Sequence, residues 1–212
     1  MQSDADVIKT AYPLPLRFTP GEKWEYCNVG YFALAEIIRK VSGRPWTDYL
    51  NARVFQPSGM NTTRPTNTQD RLPNRALGYT GDDNGRIADE WTALRPSGAF
   101  LSTVLDLAKW DAILNSDRVL TESTRRQMWT PVTLNDGKSH PYGFGWELPA
   151  VKDRKQVQHG GSMPGFRSQF VRLVDDRLTI IVLTNAEDVD RDEIVNGIAA
   201  LYLPVLTPVG AR

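Results

Sequence analysis

The residue pattern predicts an antiparallel sheet with helices packed on it, an α+β or mixed arrangement. Three observations carry this. Helical periodicity crowds residues 28–130, strand periodicity is confined to 140–212, and one more helical pattern closes the chain. Residues 1–27 read as a polar lead with one helical turn, ending in the turn "TPGEKW". From Val29 to Val41, Leu34, Ile37, Ile38 and Val41 fall at i, i+3, i+4 and i+7, one helix face. Gly43 is placed to end that helix and Pro45 to open the next, "WTDYLNARVF", which stops before Pro57. Residues 57–97 are rich in Pro, Gly, Asn and Asp and read as a long irregular excursion with a hairpin around "GDDNG". Excursions of that length in compact domains are usually functional or mobile.

The spacing of Thr103 to Asp106 predicts a helix start there, running to about Leu114, and Thr121 caps "TESTRRQMW", which ends before Pro131. Beyond "YGFGWEL" the period changes to two. "KQVQHGG", "FRSQFVRLV" and "LTIIVLTN" read as three strands, with turns at 162–165 and 175–177. The third strand is nearly all apolar and is expected to be buried on both faces. "RDEIVNGIAALYL" reads as the closing helix.

Bulk properties narrow the function. The 212 residues suffice for one large or two small domains, and 41% hydrophobic content suffices for a core. Lys+Arg and Asp+Glu are equal at 25 each, so no global field favours nucleic acid or an anionic membrane. No apolar run reaches the roughly 18 residues of a spanning helix, and the start "MQSDADVIKT" is unlike a secretory signal. Cys27, the single cysteine, excludes an internal disulfide and leaves the compartment open. Two histidines and one cysteine, far apart, do not match zinc spacing. No metal or cofactor is expected.

Two short segments carry the chemical signal. In "EYCNVGY", extended backbone would turn Tyr26 and Asn28 to one side and Cys27 to the other, just where a helix begins. That arrangement is either a helix cap beside a core aromatic or half of an active site. In "HGG", His159 precedes two glycines at a strand end. That is either a glycine turn or a place where another backbone approaches closely. Each alone is weak; their order and separation say more.

With "FTPGEKWEYCNVGYFALAEIIRKVSGRPWTDYL", "VFQPSGMNTT", "SGAFLSTVLDLAKW", "YGFGW", "HGGSMPGFRSQFVRL" and "IIVLTN", the chain resembles the serine β-lactamase-like hydrolases. These include class C β-lactamases, D-alanyl-D-alanine carboxypeptidases and related esterases. The resemblance implies a β-lactamase/transpeptidase-like domain over residues 1–212, incomplete at its N-terminus. "YCN" resembles the family's Tyr-x-Asn element and "HGG" its Lys-Thr-Gly strand element, written His-x-Gly in several members. By that resemblance Tyr26 helps to move the nucleophile's proton, and Asn28 hydrogen-bonds substrate and orients the catalytic lysine. His159 contacts substrate and supports the tyrosine. Gly160 and Gly161 let substrate lie against the strand, and the Ser162 N–H is one of two oxyanion-hole donors. Cys27 is a small buried spacer in this reading.

The departure from the family pattern is its first motif, Ser-x-x-Lys, with serine as nucleophile. No serine in this sequence has lysine three residues on, and Ser123 with Arg126 offers only a guanidinium. The chain is therefore expected to be the C-terminal part of an acyl-transfer hydrolase acting on an ester, a D-amino-acid peptide or a β-lactam, and to be inert alone. The competing expectation is a non-catalytic ligand-binding or interaction protein derived from the family; a third is a structural domain in which Tyr26 and His159 only pack. The expected partners are a small acyl substrate and either further copies of the chain or a companion N-terminal fragment, because "LTIIVLTN" would be left uncovered. Histidine at 159 lacks lysine's fixed charge and is a poor carboxylate anchor, so esters or peptides are expected over β-lactams.

Overall fold

The computed structural model describes residues 3–66, 74–81, 86–87, 95–98, 100–151 and 154–203. The chain forms two compact units, Met1–Arg71 with Thr92–Pro141, and Leu72–Trp91 with Tyr142–Arg212.

The first unit is helical. It holds α1 (Asp4–Ala11), α2 (Asn28–Ser42), α3 (Trp46–Leu50), α4 (Val104–Leu114) and α5 (Glu122–Met128); α3 runs on as a π-helical turn, Asn51–Phe55. The caps explain the boundaries. Ser3 and Asp6 form a reciprocal capping box that makes α1 longer than the single turn expected. Gly43, at φ 70°, ends α2 and donates its N–H to the Arg39 carbonyl. Thr103 and Thr121 accept from the N–H groups of Asp106 and Thr124, starting α4 and α5 as the sequence predicts. Phe32, Ala35, Trp46, Phe55, Met60, Ile113 and Leu114 are buried. Phe100 meets both Trp46 and Phe55 edge-on, with centroids 5.6 and 5.5 Å away.

The face of α2 turned inward is a finding. α1 and α3 pack on this helix, and Phe32 and Ala35 are its buried residues. Of the stripe read from the sequence only Ile38 is half-buried; Leu34, Ile37 and Val41 are 51%, 55% and 84% exposed. The period was right, but periodicity alone does not say which of two apolar stripes meets the core.

Asp106 is a buried charge of this unit. Its Oδ2 accepts from the Thr62 N–H (2.8 Å), the Thr62 hydroxyl (2.6 Å) and the Thr63 N–H (2.9 Å), while Oδ1 takes the Lys109 ammonium at 2.8 Å. Burial by itself would push this carboxyl up, but the Lys109 and Thr62–Thr63 donors outweigh it and hold it well below the usual carboxylate range. The cluster ties the start of α4 to the segment before the Arg64–Pro65 ladder with Phe100–Leu101.

The second unit is an antiparallel sheet with one helix. Strands β1 (Ala150–Val151), β2 (Arg154–Met163), β3 (Phe166–Leu173) and β4 (Leu178–Thr184) lie in the order β4-β3-β2-β1, and α6 (Arg191–Tyr202) packs on β3 and β4. Pro164–Gly165 turns β2 into β3, with Gly165 at φ 75°, a conformation open to glycine. Val171, Leu173, Ile180 and Val182 form the core with Val195 and Ala199 of α6. Each of the Val, Leu and Ile side chains among them, fully buried, contributes about 1.5–3 kcal/mol.

Expected burial of β4 on both faces is corrected. It is an edge strand; Ile180 and Val182 are buried, whereas Leu183, of opposite parity, is 41% exposed. Helix α6 packs on the sheet, and alternation puts Leu183 on the face opposite the one where Ile180 and Val182 are covered.

In the excursion, Tyr79–Thr80 pairs with Arg86–Ile87, the expected hairpin ladder; residues 67–73, 82–85 and 88–94 lie outside the described residues. Gly78 packs on the β2–β3 turn, where a Cβ would fall 2.6 Å from a Phe166 ring carbon and 2.9 Å from the Gly165 Cα. Among the described residues no helix is long and apolar enough to cross a membrane.

Candidate active site

The sequence-predicted site residues fall on the two units: Tyr26 and Asn28 on the first, His159, Gly160, Gly161 and Ser162 on the second. Each group is held differently.

Tyr26 enters from a fastened lead. The Gly21 carbonyl accepts the Asn135 N–H at 2.9 Å, the Asn135 amide donates to the Pro20 carbonyl at 3.1 Å, and Trp24 stacks on His140 with centroids 4.0 Å apart. Gly21, at φ 83°, leaves no room for a Cβ, which would fall 2.4 Å from the Asn135 Oδ1. This holds residues 20–24 against the small ladder of Val132–Thr133 with Ser139–His140. Cys27 is then the N-cap residue of α2, extended at φ −141° and ψ 105°, without a side-chain cap bond. Asn28 is the first helical residue, so it is not the cap. Tyr26 is 47% exposed. Cys27 is exposed, which corrects its reading as a buried spacer: the whole first turn, Asn28, Val29 and Gly30, is exposed with it.

His159 lies mid-strand on β2, opposite Phe170. Its Nε2 lies 2.8 Å from the Tyr142 hydroxyl and its Nδ1 2.7 Å from the Gly160 carbonyl. Both glycines have packing reasons beside any functional one. A Cβ on Gly160 would fall 2.5 Å from the Gln169 Oε1 and 2.8 Å from the Arg191 guanidinium carbon; one on Gly161 would fall 2.4 Å from the Ser168 hydroxyl. Arg191 donates to the Gly161 carbonyl at 2.6 Å and the Ser168 carbonyl at 3.2 Å. Asp190, capping the N–H groups of Asp192 and Glu193, sets where that arginine leaves α6.

The direction of the backbone follows from one pair of bonds. Gln158 exchanges N–H···O bonds with Glu147, at 3.0 and 2.8 Å, on the side of β2 away from β3. Alternation then turns the backbone groups of Gly160 and Ser162 the same way. Among the described residues of this unit, the ladder on that side does not continue past Gln158. The Ser162 N–H therefore points off a strand edge, and Ser162 itself is exposed.

The beta-lactamase family profile matches residues 1–203. The chain belongs to the beta-lactamase family. Over 187 residues it is 33% identical to penicillin-binding protein 4* of Bacillus subtilis (strain 168), covering 81% of this chain and 42% of that protein. It is 28% identical over 175 residues to the D-aminopeptidase of Gluconobacter oxydans (strain 621H), covering 80% of this chain and 33% of that one. The chain thus spans less than half the length of these curated relatives. Two solved folds are similar. The octameric penicillin-binding protein homologue from Pyrococcus abyssi has a TM-score of 0.80 at 25% identity, over 95% of this chain and 48% of that one. A Bacillus halodurans penicillin-binding protein has a TM-score of 0.81 at 23% identity, over 93% of this chain and 62% of that one. The family is that of the β-lactamase-like serine hydrolases, as "YCN" and "HGG" imply, and the fold is α+β as predicted.

Tyr142 and Arg191 are the residues that sequence reading did not place beside His159. "YGFGW" is one of the segments that carry the family resemblance, yet nothing in its spacing says that its tyrosine reaches residue 159. Arg191 is ordinary helix-start chemistry until the sheet brings β2 and β3 beneath it.

Proposed function

We propose that this chain carries the substrate-binding and proton-transfer part of a serine hydrolase that works through an acyl-enzyme, with its nucleophile in sequence preceding residue 1 of the full-length product. Tyr26 assists the nucleophile's proton transfer, Asn28 binds substrate and orients the lysine beside that nucleophile, and His159 with Gly160 and Gly161 forms the edge along which substrate lies. The Ser162 N–H is one oxyanion donor. The observation that carries this reading is the strand edge past Gln158, where the Ser162 N–H is directed outward. An edge of this kind accepts an extended acyl chain by backbone hydrogen bonds.

The proposed substrates are esters and D-amino-acid amides or peptides in preference to β-lactams. A lysine at 159 would supply a fixed cation for a β-lactam carboxylate; the imidazole instead spends Nδ1 on the Gly160 carbonyl and holds Nε2 against Tyr142. The Gluconobacter relative's name, D-aminopeptidase, agrees with that preference. The test is kcat/KM of the full-length product on short p-nitrophenyl esters and D-alanyl amides against a chromogenic cephalosporin. Esters and amides should win. A cephalosporin that leads, with His159→Lys leaving the ranking unchanged, would contradict the reading.

Self-association belongs to the same proposal. It is supported by the edge strand β4 with its exposed Leu183, by the exposed stripe of α2, and by the octameric Pyrococcus abyssi homologue.

A further inference from the structure

The turn that presents Tyr142 is built by its own sequence, Tyr142-Gly143-Phe144-Gly145-Trp146. Gly145, at φ 73°, closes it, and the Gly143 N–H donates to the Trp146 carbonyl at 2.8 Å. Trp146 is buried and meets Phe170 edge-on at 5.9 Å, anchoring the turn to β3. Tyr142 bridges Glu147, Glu147 bridges Gln158, and the Gln158 amide donates to the Glu147 carboxylate at 2.8 Å. The phenol is thereby held beside the residue after Gln158, which is His159. The two rings meet edge-on, with centroids 5.9 Å apart and planes at 79°.

The hydrogen bonds then settle which imidazole nitrogen carries the proton. A carbonyl only accepts, so at 2.7 Å from the Gly160 oxygen Nδ1 must be the donor. In the neutral ring Nε2 is left as an acceptor, and the Tyr142 hydroxyl at 2.8 Å is the donor it faces. We propose that Tyr142 is a positioning residue of the candidate site, fixing His159 in the Nδ1–H tautomer and in one ring orientation along the strand edge. The proposal rests on the reading of His159 as a site residue. A second ligand on each ring nitrogen is what sets histidine's tautomer and aim elsewhere. Here both ligands come from one short stretch of fold, so the ring is oriented before substrate arrives.

The test uses the full-length product with 15N-labelled histidine, at alkaline pH where imidazole is neutral, and assigns His159 by its loss in His159→Gln. The expected spectrum has Nδ1 protonated and Nε2 unprotonated in a single tautomer. In Tyr142→Phe, which keeps the ring and removes the hydroxyl, only the Gly160 carbonyl holds the tautomer, so the nitrogen shifts should move part of the way toward their averaged values. Ester kcat/KM should then fall by about tenfold, the scale of one lost hydrogen bond. A wild-type ring that is Nε2–H or already averaged overturns the proposal, and that result does not need the variant to fold. So does a Tyr142→Phe protein whose spectrum or kcat/KM is unchanged. The tautomer is read without turnover, so a wild-type protein that hydrolyses nothing sinks the proposed function while leaving this answer intact.

Discussion

The stretch Tyr26–Gly30 in the first unit and the stretch His159–Ser162 in the second carry the sequence-predicted site residues, and they are held in opposite ways. Around His159 the chain supplies its own supports: Tyr142 and the Gly160 carbonyl on the ring, Ser168 and Gln169 against the glycines, and Arg191 on two strand carbonyls. The start of α2 is more open. Residues 20–24 are fastened to the Val132–His140 segment, but Cys27 lacks a side-chain cap bond and the first helical turn is exposed. A strand in a sheet inherits its geometry from its neighbours. A helix N-terminus has several N–H groups without intrahelical partners, and what meets them fixes its local geometry. The difference teaches that the strand stretch takes its geometry from neighbouring strands and α6, whereas the first turn of α2 is open to solvent at Asn28, Val29 and Gly30.

Four substitutions would sharpen or break this contrast. The largest effect is expected for Tyr26→Phe in the full-length product, where kcat should fall by about 10²–10⁴-fold while KM changes little, the scale of a lost general acid–base group; steady-state ester kinetics measure it. Next is Asp106→Ala, which leaves the Thr62–Thr63 donors and Lys109 without their buried acceptor and should cost about 3 kcal/mol in urea unfolding. The native Asp106 carboxyl releases its proton at lower pH than the unfolded one, so the native state binds fewer protons in acid. Its contribution is full above the reference value of about 3.9 and is lost as pH falls through and below it. Unfolding midpoints of wild type should therefore drop on acidification more steeply than those of Asp106→Ala.

Gly161→Ala comes third. The new methyl would meet the Ser168 hydroxyl, whereas the Ser168 Cβ stands at 3.7 Å, an ordinary contact. The single change should cost about 1–3 kcal/mol, and adding Ser168→Ala should restore most of it. A double variant no better than the single would place the glycine requirement outside this packing contact. Cys27→Ser should be smallest, within about 0.5 kcal/mol of wild type in thermal unfolding, because the thiol is exposed. A large loss there would mean that the start of α2 is as well packed as the strand stretch, and the contrast would fail.

Elements with local causes were legible in the sequence. Gly43 ended α2, Thr103 and Thr121 started α4 and α5, and period-two runs marked β2, β3 and β4, because caps and alternation act within a few residues. What was missed depends on which surface meets which. Leu34, Ile37 and Val41 of the α2 stripe are apolar but exposed, Leu183 is open although its strand is nearly all apolar, and Cys27 is exposed although small and apolar. Tyr142 needed the Glu147–Gln158 ladder, a pairing eleven residues apart in sequence that no local pattern encodes.

Fluorophosphonate labelling with intact-mass and peptide mapping tests the shared-site reading most directly, run side by side on the full-length product and on residues 1–212. The expected result is stoichiometric labelling of the full-length product at a serine preceding residue 1, slowed by Tyr26→Phe, with none on the 212-residue chain. Deleting the nucleophile costs subtilisin about 10⁶ in kcat, so turnover by the chain alone should be at background. Stoichiometric labelling of the 212-residue chain at Ser162 or any other of its own serines, lost in Tyr26→Phe, would contradict it.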